Sequence, residues 1–284
     1  MIQGQASRTA MATAAARAAH LVVDGEPKIF EDTLAAPLLG DLAEELVASH
    51  RDRADRETRA SMRVAMTVRS RYCDDRLNDA AARGTGQFVL LGAGLDSLAY
   101  RSSVLGSMRV FEVDHPATQA WKRERLAAAG IPVPDAVAFV QADFRRDSLR
   151  DRLVGAGLDP SRPAFVSWLG VTQYLTPDAI ELTLDSLRGL ASGTELVMEY
   201  VVPAGLRDED GLALADFFVP RAAAMGEPWL TFLSPADVAR LLAARGMAVV
   251  EDLGRKDQVD ASLWQRTDGL RPHELGRVAR AVVA

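Results

Sequence analysis

Two hydrophobic periods divide the chain. Residues 1–84 carry apolar positions at helical spacing and no strand-like alternation. Thr9 to Ala19 is alanine-rich and predicts a helix, broken across His20 to Pro27, where Gly25 and Pro27 act as punctuation. Asp41 to Ser49 predicts a second helix, and the charged run His50 to Arg59 a solvated helix face or loop. Ser61 to Ala82, with Met62, Ala65, Met66, Val68, Tyr72, Cys73 and Leu77, predicts a third helix leading into the first strand. From Gln87 the pattern changes to short apolar runs alternating with helical stretches. Strands are expected at 87–91, 108–113, 137–140, 164–169, 195–201 and 247–251, with 277–283 as a closing strand. Helices are expected at 116–129, 147–156, 177–190 and 234–244. The last is marked by Ser234 at the N-cap, Pro235 at the first position and Asp237 at the third. Residues 203–230 interrupt the alternation, and Leu212, Leu214, Phe217 and Phe218 suit an amphipathic piece lying over a site.

This order of elements predicts a doubly wound, Rossmann-like α/β domain over 85–284, preceded by a helical cap region at 1–84 and carrying a cap insertion near 203–230. Its organising stretch is Gln87 to Arg101. Phe88 to Leu91 form an unbroken apolar run, short enough for a buried parallel strand. Gly92-Ala93-Gly94 then makes a tight turn that lets a ligand approach the backbone, and Asp96 and Ser97 are placed to cap a helix beginning at Leu98. The next strand ends in Glu112-Val113-Asp114, about twenty residues past the turn, where a carboxylate accepts from ribose hydroxyls. A third glycine, which packs a helix tightly under a pyrophosphate, is missing from the turn. A nucleoside cofactor without bridging phosphates is therefore expected, S-adenosylmethionine rather than NAD.

Composition narrows the class. A chain of 284 residues with 48% apolar and 25% charged residues buries a sizeable core. A net charge of −6 gives no reason to expect a nucleic-acid partner. The single Cys73 excludes an internal disulfide and a cysteine-rich metal site, and suits a buried free thiol. The absence of a long uncharged apolar run argues against a membrane partner, and the first twenty residues lack the form of a secretory signal, so a cytoplasmic location is expected. His20, His50, His115 and His273 are scattered without metal-ligand spacing, so no metal is expected. His115 follows Asp114 directly and is a candidate for the nucleoside pocket; His20 reaches the substrate only if the first helix closes as a cap. Asp74-Asp75 reads as a pair of solvated helix caps.

Leu91-Gly-Ala-Gly-Leu-Asp-Ser-Leu-Ala-Tyr-Arg101, Phe111-Glu-Val-Asp-His-Pro116, Lys122, Ala142-Asp-Phe144 and Gly170-Val-Thr-Gln-Tyr-Leu175 stand in the order found in the leucine carboxyl methyltransferase family. The chain resembles most its bacterial branch, which includes polyketide-tailoring carboxyl methyltransferases. The resemblance implies a class I methyltransferase fold, a seven-stranded sheet under a helical cap, and an S-adenosylmethionine-dependent O-methyltransferase of secondary metabolism that esterifies a small carboxylate. It implies that Gly92 and Gly94 face the methionine part of the cofactor, that Asp114 holds the ribose, and that Asp143 and Phe144 flank the adenine. The arginine that grips the cofactor carboxylate falls on Arg69 or Arg71, with spacing slightly favouring Arg69. One departure stands out: where the family carries an acid just before the equivalent of Gly170, this chain has Leu169.

A carboxylate acceptor is nucleophilic at neutral pH without a general base, whereas a phenol, with a pKa of about 10, benefits from one. Tyr174, in Thr172-Gln173-Tyr174 after the fourth strand, is the candidate catalytic residue, as a donor to the acceptor oxygen; a structural role anchoring the loop is the alternative. Two other readings compete. A non-catalytic protein of methyltransferase fold draws on Leu169, and a nicotinamide-dependent oxidoreductase is opposed by the missing glycine and the absence of a Tyr-x-x-x-Lys pair.

Overall fold

The computed structural model describes residues 7–52 and 55–284. Its centre is β1 (Gln87–Leu91), whose five residues are all buried because β1 is flanked by parallel strands, β2 (Arg109–Asp114) and β4 (Phe165–Trp168). A strand covered on both faces needs no polar side, which is why Phe88 to Leu91 read as a continuous apolar run. Seven strands form one sheet in the order β3-β2-β1-β4-β5-β7-β6, with β3 at Val137–Gln141, β5 at Glu195–Val201, β6 at Met247–Leu253 and β7 at Gly276–Val283. β7 runs antiparallel to both strands beside it, β5 and β6, pairing with β5 from Glu195↔Val282 to Val201↔Gly276. This is the expected class I methyltransferase sheet.

Strand alternation sends side chains to two helical layers. Val89, Leu91, Phe111 and Val113 pack with α7 (Leu149–Gly155), α8 (Pro177–Leu187) and α10 (Pro235–Ala243). Phe88, Leu90 and Val110 pack on the other face against Tyr72, Cys73 and Leu77 of α4 (Arg56–Ala82). The remaining helices are α1 (Arg8–Val23), α2 (Ala35–Leu39), α3 (Ala43–Ala48), α5 (Leu98–Arg101), α6 (Pro116–Ala128) and α9 (Glu209–Ala224). The expected capping box on α10 is present, with Ser234 Oγ accepting from the Asp237 amide and Asp237 accepting from the Ser234 amide.

Several boundaries differ from expectation for local reasons. α1 runs through His20 to Val23 instead of breaking at His20. The buried imidazole stabilises that last turn: Nε2 accepts from the Ile29 amide at 3.0 Å, so Nδ1 carries the proton donated to Asp24 at 2.8 Å. Held this way, His20 faces the helix end and does not line the site. α4 begins at Arg56, so the end of the charged run is helical; His50, at its start, is buried, and Arg53 and Ala54 lie outside the described residues. The leader expectation likewise falls in part on residues 1–6, outside the described residues. Among the described residues no helix is long and apolar enough to cross a membrane.

α1 reaches the sheet's ligand end through small residues. Ala14, Ala15 and Ala18 pack on Ala35, Leu39 and Leu95, the last belonging to the loop after β1. Buried Arg17 fastens this contact, donating from Nε to Asp32 at 2.8 Å and from Nη2 to the Leu95 carbonyl at 2.7 Å.

Candidate functional site

The carboxyl ends of β1, β2, β4 and β5 open onto a cavity of about 680 Å³. It lies where the chain winds from β1 toward β2 and β3 on one side and toward β4 and β5 on the other. Open α/β sheets bind ligands at such switch points. The turn after β1 forms the floor. Gly92 has φ of 72°, and a Cβ there would lie 2.3 Å from Val171 Cγ2 in the loop after β4. Only glycine allows that backbone and that approach. A Cβ on Gly94 would meet Ala10 of α1 at 3.2 Å, so the first helix roofs the turn.

Asp114 closes β2 at one side of this floor. Its Oδ2 accepts from the Gly94 amide at 2.6 Å and its Oδ1 from the His115 amide at 2.6 Å. Burial pushes its pKa up while these two amides favour the charged form. His115 lines the cavity but mainly caps α6, accepting from the Ala117 amide at 3.3 Å. Asp143 and Phe144, after β3, line the same end. Burial raises the pKa of Asp143, but the Arg145 amide and guanidinium outweigh it and hold the carboxyl below its usual range.

Arg69 and Arg71 separate cleanly. They stand about 200° apart around α4. Arg69 is buried in the cavity wall, whereas Arg71 lies on the outer face, half exposed and paired with Asp75 at 2.8 Å. The expectation for Arg71 is thus corrected. The guanidinium of Arg69 lies on Gly170, where φ is 70° and a Cβ would come within 2.8 Å of Nη2. Arg69 Nη1 donates to Glu199 Oε2 at 2.6 Å, and Arg255 donates to Glu199 Oε1. Burial pushes the Glu199 pKa up, but the two arginines more than reverse this, so its carboxylate stays charged.

Tyr174 lies at the other end of the cavity, in the turn Thr172–Tyr174. Thr172 Oγ1 donates to the Glu199 carbonyl at 2.8 Å, and the Gln173 carbonyl accepts from the Leu230 amide at 2.6 Å. These bonds clamp the turn between β5 and the segment after α9. Burial pushes the Tyr174 pKa up, so the phenol stays protonated, with Gln173 and Trp229 beside it. Gln173 Oε1 is buried without a protein partner. Met62 and Met66 of α4 and Leu214 and Phe217 of α9 line the cavity with apolar surface. Burial, then nearby arginines, depress His50 and His273 to about 4, and each has an unpartnered Nδ1 in the cavity wall. At the mouth, Thr9 donates from its amide at 3.2 Å and its hydroxyl at 2.8 Å to Glu227 Oε2, latching α1 to the segment after α9.

Of the residues singled out in the sequence, the cavity brings together Arg69, Gly92, Gly94, Asp114, Asp143, Phe144 and Tyr174. Leu169 is half buried, its side chain packed against the Phe88 and Leu90 cluster. The Asp74-Asp75 expectation is corrected for Asp74, which pairs with Arg101 at 2.6 Å and which burial pushes up to about 6. Among the described residues no group of three or more His, Cys, Asp or Glu is placed to hold a metal. Sequence reasoning passed over Glu199, Arg255, Arg17 and Glu227. Glu199 left one signal, an acid toward the end of the otherwise apolar run Leu196 to Val202.

Residues 10–188, well over half of the chain, match the leucine carboxyl methyltransferase family. YktD of Bacillus subtilis (strain 168), provisionally named an S-adenosyl-L-methionine-dependent methyltransferase, is 29% identical, with 99% of each chain covered. A protein of the same provisional name from Mycolicibacterium gilvum (strain PYR-GCK) is 36% identical over 71% of this chain and 69% of its own length. Among solved structures, a provisionally named methyltransferase from Thermobifida fusca YX shares the fold at a TM-score of 0.61 and 21% identity, covering 94% of both chains. A duf574 family protein from Streptomyces avermitilis shares it at 0.62 and 18% identity, covering both chains fully. The glycine turn, the strand-end acid and the family match converge, and the chain belongs to the leucine carboxyl methyltransferase family of S-adenosylmethionine-dependent methyltransferases.

Proposed function

We propose that this protein moves the methyl group of S-adenosylmethionine to a carboxylate oxygen of a small, partly apolar molecule, forming a methyl ester. The cavity suits the cofactor: Gly92 and Gly94 leave the turn after β1 bare of side chains along its lining, and the charged groups Asp114, Asp143, Arg69 and Glu199 line it as well. In this reading Asp114 takes the ribose hydroxyls, Asp143 and Phe144 the adenine, Gly92 and Gly94 the methionine chain, and Arg69 its carboxylate. When bound, the cofactor supplies an electrophilic methyl group on a sulfonium.

The observation that carries the choice of acceptor is the character of the groups at the Tyr174 end. Tyr174 is held protonated by burial, and the Trp229 indole N–H beside it is directed at the phenol oxygen. Both suit an acceptor oxygen that already bears negative charge. His50 and His273, at about 4, are weak bases for a phenol of pKa about 10. A carboxylate needs only orientation and exclusion of water. With the cofactor bound, transfer would balance without a proton: the S–CH3 bond would break as the O–CH3 bond formed, leaving a neutral thioether and a neutral ester. Tyr174 then positions the acceptor, and the apolar wall from α4 and α9 holds its body.

The test is methyl-labelled S-adenosylmethionine with matched panels of carboxylic acids and phenols. Label is expected in an ester that releases methanol under mild alkali. Alkali-stable label on a phenol overturns the carboxylate reading.

A further inference from the structure

Resting on the cofactor reading above, we infer that Glu199 receives the α-ammonium group of S-adenosylmethionine while Arg69 receives its α-carboxylate, with Arg255 holding Glu199 in place. The register Trp168↔Met198 continues to place Leu169 level with Glu199 on the next strand. Leu169 packs among apolar side chains and has no acceptor for an ammonium. The acid at that level is therefore one strand farther along, about 4.8 Å across the sheet.

The surroundings of Glu199 suit this task. It is only 3% exposed, yet lines the cavity, and each of its oxygens meets a different guanidinium. Two cations around one buried anion leave one guanidinium without a carboxylate of its own, and the ligand carboxylate supplies it while the ligand ammonium takes the freed side of Glu199. The two arginines are not equivalent. Arg255 Nη1 also donates to Gln258 Oε1 at 3.0 Å, and Gln258 Nε2 in turn to the Leu253 carbonyl at 3.1 Å, so Arg255 belongs to the scaffold. Arg69 lies flat on Gly170 at the cavity wall, where an incoming carboxylate meets it. A carboxylate accepts at about four lone-pair positions; Arg255 and the Gly170 amide occupy two, so Glu199 keeps room for an ammonium once Arg69 turns to the ligand carboxylate. An α-amino acid head inserted at the Arg69–Glu199 contact satisfies both its charges at once.

The placement also fits the length of the ligand. From Asp114 on β2 to Glu199 on β5 is three strand steps, roughly 14 Å. The glycine turn of β1 and the Gly170 loop of β4 lie between them, so ribose, sulfur and amino-acid head fall in order along the sheet ends.

The experiment is calorimetry on the full chain with three probes: S-adenosylhomocysteine, its analogue with hydrogen in place of the α-amino group, and 5′-methylthioadenosine. Glu199→Gln is expected to weaken S-adenosylhomocysteine roughly tenfold or more, the scale of a charged hydrogen bond, while the other two change little. Adding Leu169→Glu is expected to recover part of that loss. Equal weakening of all three probes assigns Glu199 a structural role and overturns the inference, as does unchanged S-adenosylhomocysteine affinity. Should Glu199→Gln not fold, Glu199→Asp keeps the charge but withdraws it, and the same selective loss is expected; its absence overturns the inference equally. A wild-type chain that binds neither S-adenosylhomocysteine nor 5′-methylthioadenosine sinks the cofactor reading itself, and this inference with it.

Discussion

At the scale of single residues, the site is fixed by groups whose neighbours leave them one role. Asp114 is held by two backbone amides, those of Gly94 and His115, which fix its carboxylate at one side of the cavity floor. Asp114→Ala is expected to weaken S-adenosylhomocysteine binding by roughly 1.5–3 kcal/mol, the range for a hydrogen bond to a charged group. Calorimetry showing unchanged affinity in the folded variant removes the ribose assignment. Gly170→Ala strains a backbone at φ of 70° and drives a methyl to 2.8 Å from Arg69. Arg69 must then move off its wall, so the variant is expected to lose S-adenosylhomocysteine affinity while retaining 5′-methylthioadenosine. Equal retention of both ligands shows that Arg69 does not read the amino-acid head. The glycines and Asp114 were legible in sequence because a turn and a strand end fix where they face. The choice between Arg69 and Arg71 needed the phase of α4, and counting along Met62, Met66 and Arg69 as one cavity-lining stripe supplies it.

Elements were legible to the extent that each carries its own period. The seven strands emerged because buried runs such as Phe88 to Leu91 and Leu196 to Val202 are short, apolar and bounded by turn residues. The end of α1 lies beyond its expected place because Gly25 and Pro27 mark a break without fixing where it begins, while the partners that hold His20 in the last turn, Asp24 and Ile29, become visible only when the chain folds back. Glu199 escaped for a similar reason: alternation tells which face an acid takes, not which helix residues wait there. The cap also depends on a contact far apart in sequence, since α1 and the segment after α9 meet through Thr9 and Glu227. Glu227→Ala removes both acceptor contacts, worth roughly 1.5–3 kcal/mol at a charged group. Amides in the first turn of α1 are expected to exchange hydrogen faster, and those of β1 to stay protected. Unchanged exchange at α1 means the alanine packing at Ala14, Ala15 and Ala18 holds the cap by itself.

Over the whole molecule, two histidines that line the cavity are kept uncharged by the fold. His50 sits before α4 and His273 before β7, and both fall to about 4 from an ordinary 6.5. For His50 burial comes first, then Arg63 and Arg59; for His273 burial, then Arg255. The unfolded chain takes up a proton at each as pH falls through 6.5, and the native state does not until near 4. Their contribution to stability is therefore present above about 6.5 and is lost as pH falls toward 4. Asp74 acts in the opposite sense: its native carboxyl is raised to about 6, so the native state takes its proton first. Glu112 and Asp114, also raised by burial, act with Asp74, while carboxylates that arginines hold low against burial, such as Asp24, Asp32 and Glu199, act with the histidines; each net proton counts for about 1.4 kcal/mol per pH unit at most. Urea midpoints are expected to drop between pH 6.5 and 4.5, and Asp74→Asn to steepen that drop. Replacing His50 and His273 together by glutamine is expected to flatten it. A slope that survives the double replacement places the acid sensitivity in the carboxylates paired with arginine, such as Asp24 and Asp32, whose lowered values lose their stabilisation on acidification in the same sense.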